Sequence, residues 1–243
     1  MSKNRKRGLQ CWQRLKQKIL RYSLYGFAFF CGITLLFRVV PIPFSAYMVQ
    51  QKVGHLLQGE EYTLDYQWVS IDNIAWQMQL AVIAAEDQKF AQHHGIDWEA
   101  IEKALKHNQN ARHIRGGSTI SQQTVKNLYL WHGQSWLRKG IELPTTLMVE
   151  LLWTKKRILE VYLNIAEFGE GIFGVEAASR YYFKKSAKQL SQQEAALLAA
   201  VLPNPILFKV SKPSAFVQKK QRWIMRQMNL LGKSYLNQGA VVD

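Results

Sequence analysis

A chain of 243 residues is long enough for one well-packed domain plus an appendage, and 48% hydrophobic with 12% aromatic content excludes disorder. The formal charge of +15 suggests a nucleic-acid binder only until its distribution is read. Eight basic and no acidic side chains fall within residues 1–21 and Arg38 adds a ninth; setting these nine aside from the 32 leaves 23 against 17 acidic residues, an ordinary balance for a domain facing anions, and nucleic acid is not an expected partner.

In chain order, residues 1–21 read as a basic cytoplasmic tail and residues 22–42 as a transmembrane anchor. Residues 22–37 carry no charge, and Arg38 is near enough to the far end to snorkel outward. Twenty-one residues meet the requirement of about 20 for a spanning helix whose backbone polar groups are all satisfied internally. A cleaved signal peptide fits less well, because no small-x-small site follows and the apolar run is longer than the usual ~7–15 residues. Positive charges stay on the cytoplasmic side, which places residues 43–243 outside as an extracytoplasmic domain in a single-pass protein of the bacterial inner membrane. Cys11 and Cys31 lie in the tail and the span, so the exported part has neither disulfides nor Cys-rich zinc sites.

The exported domain reads as helices throughout. Ile74, Trp76, Met78, Leu80, Ala81, Ile83 and Ala84 suit a largely buried helix, with Ser70 or Asp72 able to cap its start. Residues 98–107, 119–131, 146–163, 175–183 and 216–231 repeat the signal, with Gly232 as a stop for the last. Ser191 and Glu194 form a capping box ahead of AALLAAVL, which Pro203 and Pro205 end. No alternating strand run appears, and residues 43–70 are the least legible. The expected class is mostly α, one domain behind a single N-terminal transmembrane helix.

Three polar constellations interrupt this pattern. In AVIAAEDQKFAQHHG (81–95), Glu86 and Asp87 stand behind an apolar run, where desolvation, like charge and a helix C-terminus all favour a raised carboxyl pKa suited to acid/base work. A surface Glu at a helix end is the plainer alternative. His93 and His94 lack zinc-ligand spacing, and polar packing accounts for them. In HIRGGSTISQQTVKN (113–127), Gly116 and Gly117 permit close backbone approach, and Thr119 with Gln122 opens a helix whose free N–H groups, near Arg115 and Lys126, suit phosphate. An ordinary Gly-Gly turn explains the same residues. Finally, Arg138, Lys139 and Glu142 precede Lys155, Lys156 and Arg157; the alternative is a solvated face. Together, two separated carboxylates, a phosphate-competent helix start and two basic clusters beside a membrane anchor suit sugar transfer from a lipid pyrophosphate.

EDQKFAQHHG, GGSTISQQTVKN, RKGIE and KKRILEVYLNIAEFG occur in the order of the signature motifs of bacterial peptidoglycan glycosyltransferases, which the chain resembles from about Trp76 to Pro205. With no S-x-x-K or K-T-G before residue 243, it resembles the members of single activity. The resemblance implies a lysozyme-like fold that polymerises β-1,4-linked GlcNAc-MurNAc strands from lipid II by single displacement with inversion. Glu86 would be the base that takes the proton of the acceptor 4-hydroxyl. Glu142 would steady the donor side or a divalent ion (Mg²⁺ or Mn²⁺) there, though no cofactor is required. Arg138, Lys139 and Lys155 would neutralise the leaving undecaprenyl pyrophosphate, while Asp87, Phe90, His93, Ser118, Thr119, Gln122, Gln123, Lys126 and Asn127 would shape the substrate cleft.

Pro144 departs from that pattern and should remove a helical hydrogen bond or force a helix restart just behind Glu142. Trp131, Trp136 and Leu137 are candidates for the family's apolar flap at the bilayer, with buried core as the alternative. Implied partners are lipid II, the nascent glycan strand, the lipid bilayer and other cell-wall synthesis proteins. Two rival readings are a lytic enzyme that cuts the same polymer and a non-catalytic tethered partner of the cell-wall machinery. The basic clusters favour a pyrophosphate leaving group, and Glu86 favours catalysis.

Overall fold

Hydropathy dictates the first element. In the computed structural model, which describes residues 3–108, 116–133 and 135–238, helix α1 (Lys3–Leu36) contains a 25-residue stretch, Trp12–Leu36, of mean hydropathy 1.5. At 1.5 Å per residue it extends about 37 Å, enough to cross a hydrocarbon core about 30 Å thick. The helix differs from the expected 22–42 span at both ends. It reaches back through the basic tail and stops at Leu36, where Phe37–Val39 form a turn ahead of Pro41 and Pro43. A residue before proline is driven out of the helical region. The chain divides into two compact units, Met1–Pro41 and Ile42–Asp243, and Ile42, expected in the span, is fully buried in the second.

The second unit is helical as expected, with α2 (Ala46–Leu57), α3 (Trp76–Glu86), α4 (Trp98–Asn108), α5 (Ile120–Tyr129), α6 (Trp136–Leu152), α7 (Lys155–Ile165), α8 (Val175–Phe183), α9 (Gln192–Val201) and α10 (Ala215–Leu231). The sequence showed no strand, but three very short ones form a sheet: β1 (Asp65–Tyr66), β2 (Glu167–Gly169) and β3 (Ile172–Phe173), in the order β1-β3-β2. β1 runs parallel to β3, and β2 and β3 form a hairpin across Glu170 and Gly171. Two or three residues are too few to display an alternation. Gly171 has φ +72, and a Cβ there would lie 2.3 Å from the Thr63 carbonyl oxygen, so the β1 approach depends on glycine.

α3 is the central helix. Met78, Leu80, Ala81, Val82, Ile83 and Ala84 are all buried, against α9, α10 and the 3-10 turn Lys233–Asn237. Burying each of the larger of these contributes about 1.5–3 kcal/mol. Neither Ser70 nor Asp72 caps it: α3 begins behind Ala75, without a side-chain cap. Ser70 instead precedes a 3-10 turn, Ile71–Asn73, and Gln79 Nε2 donates back to the carbonyls of Ile71 and Ile74 at 3.2 and 2.9 Å.

The expected 146–163 helix is two helices. Thr154 accepts from the Arg157 N–H as the N-cap of α7, while α6 runs unbroken from Trp136 through Pro144 to Leu152. Pro144 does not restart the helix. It removes the donor that would reach Gly140, which is exposed, so the freed carbonyl can tilt to water. The boxes Thr119–Gln122 and Ser191–Glu194 form as read, and Gly232, at φ +73, ends α10.

α7 is buried at every position except Lys156 and anchors the irregular chain before α3. Asn164, fully buried, accepts from the Val69 N–H at 2.8 Å and donates to the Val69 carbonyl at 2.9 Å, replacing a strand partner. Glu160 accepts from the Ile71 N–H at 2.9 Å and pairs with Arg157. Asn164→Ala would leave both Val69 groups unpaired and should lower unfolding stability by about 1–3 kcal/mol, measured by urea titration of tryptophan fluorescence on the purified chain.

Candidate active site

Leu80–Ala84 of α3 are all buried, and Glu86 is the first charged side chain after that run. The structure separates the acidic pair. Glu86 is half-exposed, whereas Asp87 is buried, since the chain leaves the helix at Asp87 with φ −158 and ψ 76. The acidic pair is therefore a part-exposed Glu86 supported by a buried neighbour. The Asp87 carboxylate accepts from His93 Nε2 at 2.9 and 3.0 Å and from the Ile120 N–H, at the start of α5, at 3.0 Å. That pins the end of α3 to the beginning of α5, where a helix N-terminus favours negative charge. Thr119 adds a second tie, its hydroxyl donating to the Gly95 carbonyl at 2.6 Å; Gly95 has φ +86 and a Cβ there would strike Thr146 and Glu150.

This junction sets Glu86 beside the first turn of α5. Gln123 Nε2 donates to Glu86 Oε2 at 2.9 Å, and Gln123 Oε1 accepts from the Tyr162 hydroxyl at 3.2 Å. Burial, with Glu86 and Asp87 nearby, holds the Tyr162 hydroxyl well above the usual phenol range. It stays a donor, which fixes the Gln123 amide with its NH₂ toward Glu86. Glu86 Oε1 takes no hydrogen bond among the described residues.

One helical turn from Gln123, on the same face of α5, stands Lys126. Its ammonium makes no ion pair among the described residues, and burial pushes its pKa down, against the pull of Glu142 and Glu86. Arg138 and Lys139 oppose its charge from α6. Both are clamped by Glu142, 2% exposed, with Arg138 Nη1 and Lys139 Nζ each 2.5 Å from one of its oxygens. With both oxygens so engaged, Glu142 does not fit a protein-built divalent-cation site, and no cluster of three or more His, Cys, Asp or Glu gathers in ligating arrangement among the described residues.

The remaining sequence-selected residues divide between wall and foundation. Ser118 and Thr119 line a cleft of about 320 Å³ beside Glu86, with Gly116, Gly117, Ala100 and Lys103 on one side and Trp223 and Gln227 of α10 on the other. Gln122 is buried in its capping box, and Asn127 accepts from His132 Nε2 at 3.0 Å. Burial, together with Lys126 and Arg138, pushes the His132 pKa down to about 4, so this ring is neutral. Phe90 is fully buried beneath Lys155. Lys155 is itself buried, 2.7 Å from Glu150, and burial pushes its pKa down. It lies under the Asp87 junction. Arg115 lies outside the described residues.

Sequence reading missed Tyr162, Glu150 and the α10 wall. Trp223 and Gln227 recur at helical spacing with Lys220, a stripe available in the sequence but without a neighbour to give it meaning. Trp131, Trp136 and Leu137 are surface rather than core, at 42%, 94% and 70% exposure.

The family model described as Transglycosylase matches residues 52–229. The chain is 66% identical over 228 residues to a biosynthetic peptidoglycan transglycosylase of Pasteurella multocida (strain Pm70), with 93% of each chain covered. It is 64% identical to the protein so named in Haemophilus influenzae (strain ATCC 51907 / DSM 11121 / KW20 / Rd), covering 93% of this chain and 92% of that one. The corresponding Shigella boydii serotype 4 (strain Sb227) protein is 56% identical with 96% of each chain covered. The match embraces the Glu86 junction, the α5–α6 cation wall and nearly all of α10, and the chain belongs to the transglycosylase family.

Proposed function

We propose that the chain is a peptidoglycan glycosyltransferase that lengthens β-1,4-linked glycan strands from lipid II and releases undecaprenyl diphosphate. The observation that carries this reading is Lys126, a half-buried cation with no ion pair among the described residues, between a half-buried carboxylate and the clamped Arg138–Lys139 pair. Such a concentration of positive charge is electrostatically unfavourable by itself and becomes favourable when an anion enters. A pyrophosphate leaving group is that anion.

In the proposed step, the acceptor 4-hydroxyl of N-acetylglucosamine gives its proton to Glu86 as its oxygen attacks the donor anomeric carbon. The bond to the pyrophosphate oxygen breaks, the α-linked donor becomes a β-1,4 linkage, and the electron pair leaves with undecaprenyl diphosphate. Gln123, held by Tyr162, orients Glu86 through Oε2 and leaves Oε1 for the proton. Lys126, Arg138 and Lys139 stabilise the developing charge, the kind of contribution that is often the largest in catalysis. Lys155, committed to Glu150, supplies field from behind that wall rather than a direct contact.

The lipid-linked substrate requires the site to work at a bilayer. Trp131, Trp136 and Leu137 expose apolar surface beside the cation wall, as do Val53, Leu56 and Leu57 of α2, and an apolar patch of this kind marks a lipid contact. With α1 as anchor and its basic tail inside, the catalytic unit faces the periplasm.

Glu86→Gln preserves shape but cannot accept a proton, and should lower lipid II polymerisation by about 10²- to 10⁴-fold with an unchanged unfolding transition; turnover within threefold of wild type would sink the base assignment. Lys126→Met should reduce kcat more than it weakens binding, because the charge is needed most as the leaving oxygen becomes anionic. Kinetics on lipid II read this, and digestion of finished peptidoglycan run in parallel tests the lytic alternative, which strand cleavage without lipid II would favour. A reporter fused behind Asp243 should be active only outside the cytoplasm, and activity confined to the cytoplasm would overturn the orientation.

A further inference from the structure

α10 is held to the core by its buried positions Val217, Ile224 and Met228. Trp223 and Gln227 lie outside that row. They stand four residues apart, hence on one face of the helix, and both line the cleft of about 320 Å³ that Glu86 also lines. Trp223 remains 37% exposed, and its indole N–H makes no hydrogen bond among the described residues. Gln227 is fixed at one end only. Its Oε1 accepts from Gln88 Nε2 at 3.3 Å, and Gln88 Nε2 also donates to the Ala84 carbonyl at 3.0 Å, in the last turn of α3. With Oε1 so engaged, the Gln227 NH₂ group keeps its donors for a ligand.

The cleft differs in charge from the cation wall. The described residues that line it include none of Lys126, Arg138 and Lys139. Its own charges are satisfied before a ligand arrives: Lys89 and Lys103 both pair with Glu99, and the Asp97 carboxylate accepts from the Ala100 N–H at 2.9 Å. Asp87 is turned inward onto His93 and the Ile120 N–H. Such a cleft offers an anion little, and an aromatic side chain with a few polar groups around it suits a neutral ligand that has an apolar face. A pyranose ring is a molecule of that kind. Its axial C–H groups form an electropositive face that stacks on the electron-rich face of an indole, and its hydroxyl and acetamido groups point outward toward amide donors.

We propose that Trp223 and Gln227 hold the acceptor sugar: the N-acetylglucosamine ring stacks on the Trp223 indole and accepts a hydrogen bond from the Gln227 amide, which brings its 4-hydroxyl to Glu86. This rests on the reading of Glu86 as the base and deepens it by naming the wall that presents the acceptor. The two substrates then reach Glu86 from different sides, the donor pyrophosphate along α5 and α6 and the neutral sugar of the acceptor against α10. The Gln88–Gln227 hydrogen bond keeps that wall in register with the base, because Gln88 is two residues from Glu86.

The test uses the full chain in detergent micelles and two soluble probes, di-N-acetylchitobiose for the α10 wall and inorganic pyrophosphate for the cation wall. Each is titrated as an inhibitor of lipid II polymerisation, and saccharide binding is also read directly by saturation-transfer NMR. Trp223→Leu keeps apolar bulk without a ring face. It should weaken the saccharide as inhibitor and as ligand by roughly tenfold and raise KM for lipid II more than it lowers kcat, with pyrophosphate inhibition unchanged. Trp223→Phe should stay within about threefold of wild type, and Gln227→Leu should show a smaller loss of the same kind as Trp223→Leu. A tryptophan that only packs α10 would lower the unfolding temperature and leave the ratio of the two inhibition constants alone. No saccharide binding by the wild type, equal binding by wild type and Trp223→Leu, or a Phe variant as weak as the Leu variant would overturn the inference. Glu86→Gln separates it from the reading beneath it. If that variant polymerises lipid II as wild type does, the base reading falls and the acceptor wall with it; if it is inactive and the Trp223 variants bind saccharide as wild type does, the acceptor wall alone is refuted.

Discussion

The geometry of the candidate site depends on one buried carboxylate. Asp87 accepts from the first backbone N–H of α5 and from His93, joining the end of one core helix to the beginning of another. Charge at a helix N-terminus is favourable, and a buried carboxylate without such partners would be strongly unfavourable. The junction fixes which residues of α5 meet Glu86.

From this junction α5 serves two tasks with one face. Gln123 and Lys126 are three residues apart, so the helix sets an orienting amide and a free cation side by side. In the proposed reaction the amide would aim the proton acceptor while the cation, with Arg138 and Lys139, would meet the leaving group. Glu142 holds those two cations in place before substrate arrives, so little reorganisation is needed as charge develops. Pro144 leaves this arrangement intact because the helical hydrogen bond it removes lies on the exposed side of α6.

α7 explains how so many polar groups are accommodated inside a helical core. Asn164, Glu160 and Arg157 are buried and face an extended segment with no strand neighbour, and they supply hydrogen bonds that a sheet would otherwise give. The ILEVYLN run joins fold and catalysis, because Tyr162, between Glu160 and Asn164, also fixes the orientation of Gln123.

Sequence alone determined the features that depend on neighbours a few residues away. Apolar length identified the N-terminal helix, capping boxes at Thr119 and Ser191 fixed where α5 and α9 begin, and an apolar run interrupted by Glu86 marked the site. Motif order identified the family to which the matched region belongs. Local pattern could not reveal what depends on contacts between distant segments. Strands of two or three residues are too short to show a period, and no glycine or proline announces the break at Thr154. Burial of Asp87 but not Glu86, and the burial of Lys155 against Glu150, were decided only when the helices packed together. A side chain's charge is written in the sequence, but its solvation and its partners are properties of the folded chain.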